Sequence, residues 1–139
     1  MRRAFTAIEL TIVIGVVAIL SAIVMPAMTT LLDRIRVRGA VTEIESLFSA
    51  ARHIAIAREA QTSVEIDERT GSLAVTVEAD TVRKAMVKAD HGVELSSNRV
   101  AMSYSANGIG YGAANLSIFV RKGAVADTVI VSRLGRVRH

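Results

Sequence analysis

The sequence contains no cysteine. Disulfide staples and thiolate metal centres are excluded, and whatever fold forms must rest on packing. Tryptophan is absent as well, and Phe and Tyr together supply only 4% of the residues. Proline occurs once, as Pro26, so long stretches carry no helix breaker. The three histidines, His53, His91 and His139, lie far apart, and no carboxylates pair with them at ligand spacing. No metal site and no cofactor are expected from such a pattern. No Ser, His and Asp order suggests a catalytic triad either, so the chain does not read as an enzyme. The stretch Asn107-Gly-Ile-Gly-Tyr-Gly112 is glycine-rich but lacks the Lys and the strand–loop–helix setting of a phosphate cradle. It reads as a connection between strands.

What is present is apolar and unevenly charged. Hydrophobic residues make up 51% of the 139 residues, and the net charge is +4. Residues 61–99 carry five basic and seven acidic side chains, whereas residues 100–139 carry five basic ones and only Asp127. The positive excess therefore sits at the C-terminal end, placed for an anionic partner.

No charged residue occurs from Leu10 to Leu32. A bilayer-spanning helix needs about 20 apolar residues, and a cleaved secretory signal has a shorter apolar region. Met25-Pro26-Ala27 is also a poor cleavage site. Arg2 and Arg3 precede the run, and Arg34, Arg36 and Arg38 follow it, so charge alone leaves the topology ambiguous; the short leader favours a cytoplasmic N-terminus. Glu9 stands at the mouth of the run. A carboxylate beside hydrocarbon is costly, and needs a cation. Beyond the span, Leu31, Leu32, Ile35, Val41, Ile44, Leu47, Phe48, Ala51 and Ile54 recur at helical spacing. One helix from Phe5 to about Ala60 is expected, on the order of 80 Å long, with Gly15 and Pro26 as kink points.

The period then changes to two. Ser63–Asp67 and Ser72–Val77 read as a hairpin around Glu68–Gly71. Val93–Leu95, Arg99–Tyr104, Asn115–Arg121 and Thr128–Ser132 read as further strands, with a turn at Lys122-Gly123. Asp80–His91 fits either a short helix or a variable loop. A long helix followed by antiparallel strands gives an α+β domain.

Ala4-Phe5-Thr6-Ala7-Ile8-Glu9-Leu10, with the apolar helix behind it, resembles the N-terminus of type IV pilins and pseudopilins. The resemblance implies the pilin fold: a long kinked N-terminal helix, transmembrane and then amphipathic, packed on an antiparallel β-sheet head. It divides the chain into a leader (1–4), a transmembrane and filament-core helix (5–31), a periplasmic globular domain (32–132) and a basic tail (133–139). It further implies that a prepilin peptidase cuts between Ala4 and Phe5 and methylates the new amine of Phe5. Glu9 would be the assembly carboxylate, pairing with a neighbour's N-terminal amine. Partners would be other pilins or pseudopilins, the peptidase and the inner membrane, with the head in the periplasm. Two positions depart from the family pattern. Ala4 stands where Gly is usual, which implies slower processing, and Ala7 replaces the commoner Leu.

The other end, Val129-Ile-Val-Ser-Arg-Leu-Gly-Arg-Val-Arg138, is similar to the C-terminal Gly-Arg-x-Arg signature of the GspH/FimT group of minor pilins. Its members serve in type II secretion pseudopili or in type IV pili, and in the pilus branch the motif is linked to DNA uptake for transformation. The resemblance makes Arg133, Arg136 and Arg138 candidate contacts to double-stranded DNA, with Gly135 allowing a turn or a close approach. With few cations and no aromatic among them, such contacts would be weak and salt-sensitive. Arg121 and Lys122 would widen the patch, or be merely solvated. Secretion and pilus roles both remain open on these residues.

Overall fold

The computed structural model describes residues 6–111 and 115–139. The chain separates into two compact units, residues 1–32 and residues 33–139. Helix α1 runs from Ala7 to Arg58, as one element through Gly15 and Pro26. Pro26 has no N–H to give, and its carbonyl also accepts the hydroxyls of Thr29 and Thr30.

The second unit carries the rest. Strands β1 (Thr62–Asp67), β2 (Ser72–Val77) and β3 (Asp80–Ala85) are followed by the short helix α2 (Val87–His91). Then come β4 (Glu94–Ser97), β5 (Ala101–Tyr104), β6 (Gly110–Tyr111), β7 (Leu116–Lys122), β8 (Val125–Val131) and β9 (Val137–Arg138). They form two antiparallel sheets rather than one: β3-β2-β1-β5-β6 and β4-β7-β8-β9. Each sheet has an inner face of alternating aliphatics. Val64, Ile66, Leu73 and Val75 line the first, and Leu116, Ile118, Val120, Val129 and Val131 line the second.

The buried stripe of α1 joins these faces in one core: Val37, Ala40, Val41, Ile44, Leu47, Phe48, Ala51 and Ala55. Steps of one, three and four put these on one helical face. Fully burying Ile44, Leu47 and Phe48 contributes about 1.5–3 kcal/mol each. The stripe expected from the sequence begins too early. Leu31, Leu32 and Ile35 are exposed, Ile35 by 59%, and the core starts at Val37. Gly39 has a specific use within α1. The His91 ring lies against it, 3.0 Å from where a Cβ would stand, while His91 Nε2 meets Glu43 Oε2 at 2.8 Å.

α1 ends in a Schellman arrangement. The N–H of Ala60 donates to Ala55 O and that of Glu59 to Ile56 O, with Glu59 in the left-handed region at φ +50°. The span Asp80–His91, open between helix and loop in the sequence, is a strand followed by a one-turn helix. β8 does not end the sheet either. After Val131 the chain turns and returns as β9, pairing Val137 with Val131 and Arg138 with Ile130. The basic segment is therefore an ordered hairpin arm, not a tail.

Candidate functional site

Two groups of residues stand out, one in each unit. Ala4 and Phe5, the expected processing site, lie outside the described residues. At the start of α1, Thr6 and Glu9 cap each other. Thr6 N–H and Oγ1 both lie 3.4 Å from Glu9 Oε2, and Glu9 N–H donates to Thr6 Oγ1 at 3.3 Å. This reciprocal pattern is a capping box, and Thr-x-x-Glu before an apolar run is its sequence signature. That spacing was the signal that pairs Thr6 with Glu9, and the motif reading of Glu9 alone passes over it. The box also sets a carboxylate at the positive end of the helix dipole. Among the described residues Glu9 meets no cation.

Behind the cap, the helix offers a surface of a different kind. It is long and apolar enough to cross a membrane, and none of its most apolar stretch is buried within this chain. Ile8 is 72% exposed and Met25 70%. An uncovered apolar surface of this extent marks a membrane or protein contact.

In the second unit, the C-terminal arm is built on a turn that occurs twice. Ser132-Arg-Leu-Gly135-Arg136 and Ser105-Ala-Asn-Gly108-Ile109 have the same hydrogen bonds. The glycine N–H donates to the serine carbonyl, at 2.9 Å for Gly135 and 2.8 Å for Gly108. The serine N–H donates to the carbonyl at the far side of the loop, at 2.8 Å from Ser132 to Arg136 and 2.9 Å from Ser105 to Ile109. Gly135 and Gly108 both adopt left-handed backbones, at φ +74° and +73°. Such a turn followed by a left-handed residue is a common three-residue hairpin connection.

The two turns lie against each other. Gly110 N–H donates to Arg133 O at 3.0 Å. A Cβ at position 135 would stand 3.0 Å from Tyr104 Cε1 and 3.2 Å from Gly108 O. One at position 108 would meet Ile56 Cδ1 at 2.7 Å and Arg52 Nε at 3.2 Å. Both glycines are buried, so each is needed for backbone conformation and for closeness of approach. The sequence gives Gly135 the same freedom. What it approaches is a Tyr104 ring and a neighbouring turn.

Beneath the paired turns Tyr104 is fully buried, and its hydroxyl has no partner among the described residues. Desolvation pushes its pKa up to about 12, only partly opposed by the Arg52 guanidinium. Arg52 Nε is likewise buried without a partner among the described residues. His139 closes the arm, its Nδ1 2.9 Å from Glu45 Oε1 on α1.

On this base Arg133, Arg136 and Arg138 are all exposed, and none has a carboxylate within 4.0 Å among the described residues. Arg121 and Lys122 do not join them. Arg121 pairs with Glu94 at 3.3 Å, and Lys122 Nζ donates to Gly92 O. Arg121 is also four residues along β7 from Ser117, which lies beside Ile130 and hence in line with Arg138. That separation along the strand is about 13 Å. Among the described residues no three His, Asp or Glu side chains converge as a metal site.

No protein-family model matches the chain, and no curated protein sequence matches it. Solved structures do. The type IV minor pilin FimU of Pseudomonas aeruginosa superposes with a TM-score of 0.66 at 16% identity, over 78% of this chain and 90% of that one. A second crystal form of it gives 0.61 at 16% identity, over 73% and 90%. The minor pseudopilin EpsH of the Vibrio cholerae type 2 secretion system gives 0.58 at 12% identity, over 74% and 94%. The chain has the fold of these minor pilins and pseudopilins, a long N-terminal helix with antiparallel sheets packed on it.

Proposed function

We propose that this protein is a minor pilin or pseudopilin, a structural subunit of a type IV pilus or a type II secretion pseudopilus. The observation that carries the reading is the apolar helix start. It is long enough to cross a bilayer, it is uncovered within the chain, and it belongs to a fold shared with a minor pilin and a minor pseudopilin. One helix then has two surroundings. The apolar length suits lipid first and neighbouring helices later, so the subunit is held in the inner membrane, head outward, until it enters a filament. Glu9 supplies the polar contact. Its carboxylate, set at the helix mouth by Thr6, pairs with the amine of a neighbour's Phe5 once the leader is gone.

Processing between Ala4 and Phe5 is part of this proposal. The test is the mass of the N-terminal peptide from cells that carry a prepilin peptidase. A peptide starting at N-methylated Phe5 is the expected result, and a chain retaining Met1-Arg-Arg-Ala4 overturns it.

A second reading is favoured by one observation. Arg133, Arg136 and Arg138 are exposed and, among the described residues, unpaired on an ordered arm. Three guanidiniums held ready without acid partners suit phosphate, and we propose that the arm contacts DNA, as a filament subunit acting in DNA uptake. Three contacts alone are weak, and repeated subunits would raise the effective concentration.

A further inference from the structure

Helix α1 brings a further guanidinium to the twin turns. The Arg52 stem lies against Gly135, its Cδ 3.5 Å from where a Cβ there would stand, and its Nε is 3.2 Å from the same position at Gly108. Gly135 is the chain neighbour of Arg136, so Arg52 Cδ lies at most about 9 Å from the Arg136 Cα. Arg52 is half-buried, and among the described residues only Nε of its three nitrogens is buried without a partner. No carboxylate lies within 4.0 Å of the guanidinium among these residues. The sequence of α1 gives the reason. Phe48, Ser49, Ala55 and Ile56 fill the positions three and four residues away, where a helical ion pair would form. Glu45, about two turns earlier, is taken by His139 at 2.9 Å. Tyr104 feels the Arg52 charge, but a neutral phenol offers none in return.

We infer that Arg52 is a fourth phosphate contact beside the arginine arm, so that DNA is gripped by α1 and the arm together. The inference rests on the DNA reading of Arg133, Arg136 and Arg138 and adds a residue from a different element. A partly desolvated charge is costly unless an anion meets it. Among the described residues the chain supplies no such anion. Duplex DNA carries one charge per about 1.7 Å of its axis, so a backbone lying on the arm offers further phosphates next to it. The contact is also well anchored. Arg133, Arg136 and Arg138 stand on a hairpin arm, whereas Arg52 stands on the helix whose stripe fills the core. Its stem packs against two glycines that put no side chain in its way.

The test uses the full chain in detergent micelles. Binding of a labelled duplex of mixed sequence is read by fluorescence anisotropy over a series of salt concentrations. Each phosphate contact adds about 0.9 to the slope of log affinity against log salt. Arg52→Met keeps an apolar stem against the glycines and removes the charge; Arg52→Gln removes the charge with a polar side chain. Both are expected to weaken binding severalfold at low salt and to make the slope shallower by about 0.9. Arg52→Lys keeps a charge and is expected to keep the parental slope. Arg136→Gln with Arg138→Gln is expected to make the slope shallower by about 1.8. If that pair can be changed without loss, the DNA reading falls and this inference with it. If the pair is needed but a neutral variant at position 52 keeps the parental affinity and slope, Arg52 is no contact, while the DNA reading stands. If Arg52→Lys loses affinity and slope as the neutral variants do, Arg52 only props the turns, and the inference is overturned.

Discussion

Gly135 carries more of the C-terminal architecture than its size suggests. Its backbone is left-handed, and it lies against the Tyr104 ring and Gly108 O. An L-residue there costs roughly 1–2 kcal/mol for the conformation alone. Gly135→Ala is therefore expected to lower the melting temperature of the head by several degrees, whereas Arg136→Gln leaves it within about a degree. Thermal unfolding followed by circular dichroism checks this. Tyr104 gives a pH signature. Below its ordinary value of 10.0 the phenol is protonated in the folded and unfolded chains alike. Between there and about 12 the unfolded chain releases the proton first, so stability falls as pH rises through this window. The slope is about 1.4 kcal/mol per pH unit. Tyr104→Phe removes this component and an orphaned hydroxyl, so its alkaline unfolding midpoint should be higher than the parent's. Equal midpoints would count against the buried phenol.

At the scale of elements, legibility followed turn chemistry. The β1–β2 hairpin was readable because Asp67 accepts the N–H groups of Arg69 and Thr70 and Gly71 takes φ +62°. The β7–β8 turn was readable from Gly123, at φ +56°. β3 was not. It is joined to β2 by a two-residue turn whose centre is Glu78-Ala79, at φ +50° and +74°. That backbone is a type I′ turn, normally written Asn-Gly, and here the sequence signal is absent. Glu78→Asn with Ala79→Gly is expected to stabilise the head by about 1–2 kcal/mol, measured by urea unfolding. β9 escaped for another reason. Two residues give no period, and its turn is seated on Tyr104 and Gly108, which are distant in sequence. The amphipathic stripe of α1 was legible in kind but not in extent. Leu31, Leu32 and Ile35 keep the helical spacing although they stay exposed within the chain, since apolar spacing does not record what covers it.

On the scale of the whole molecule, the sequence has two kinds of apolar residue. Those from Val37 onward close a core within one chain. Those from Ile8 to Leu32 stay exposed among the described residues. A chain so divided makes sense if the second set is completed by lipid and then by other subunits, and the proposal makes Glu9 the residue on which that exchange turns. Its carboxylate caps α1 with Thr6, and under the proposal it has a second, separable job, offering a charge to a neighbour. Glutamine also serves as the partner in a capping box, so Glu9→Gln keeps the first job and removes the second. The direct test is incorporation of Glu9→Gln and Glu9→Ala into filaments, with membrane insertion and leader removal checked in the same cells. Both variants are expected in the membrane, both processed, and both absent from filaments. Incorporation of Glu9→Gln at the parental level would contradict the pairing of Glu9 with a neighbour's amine.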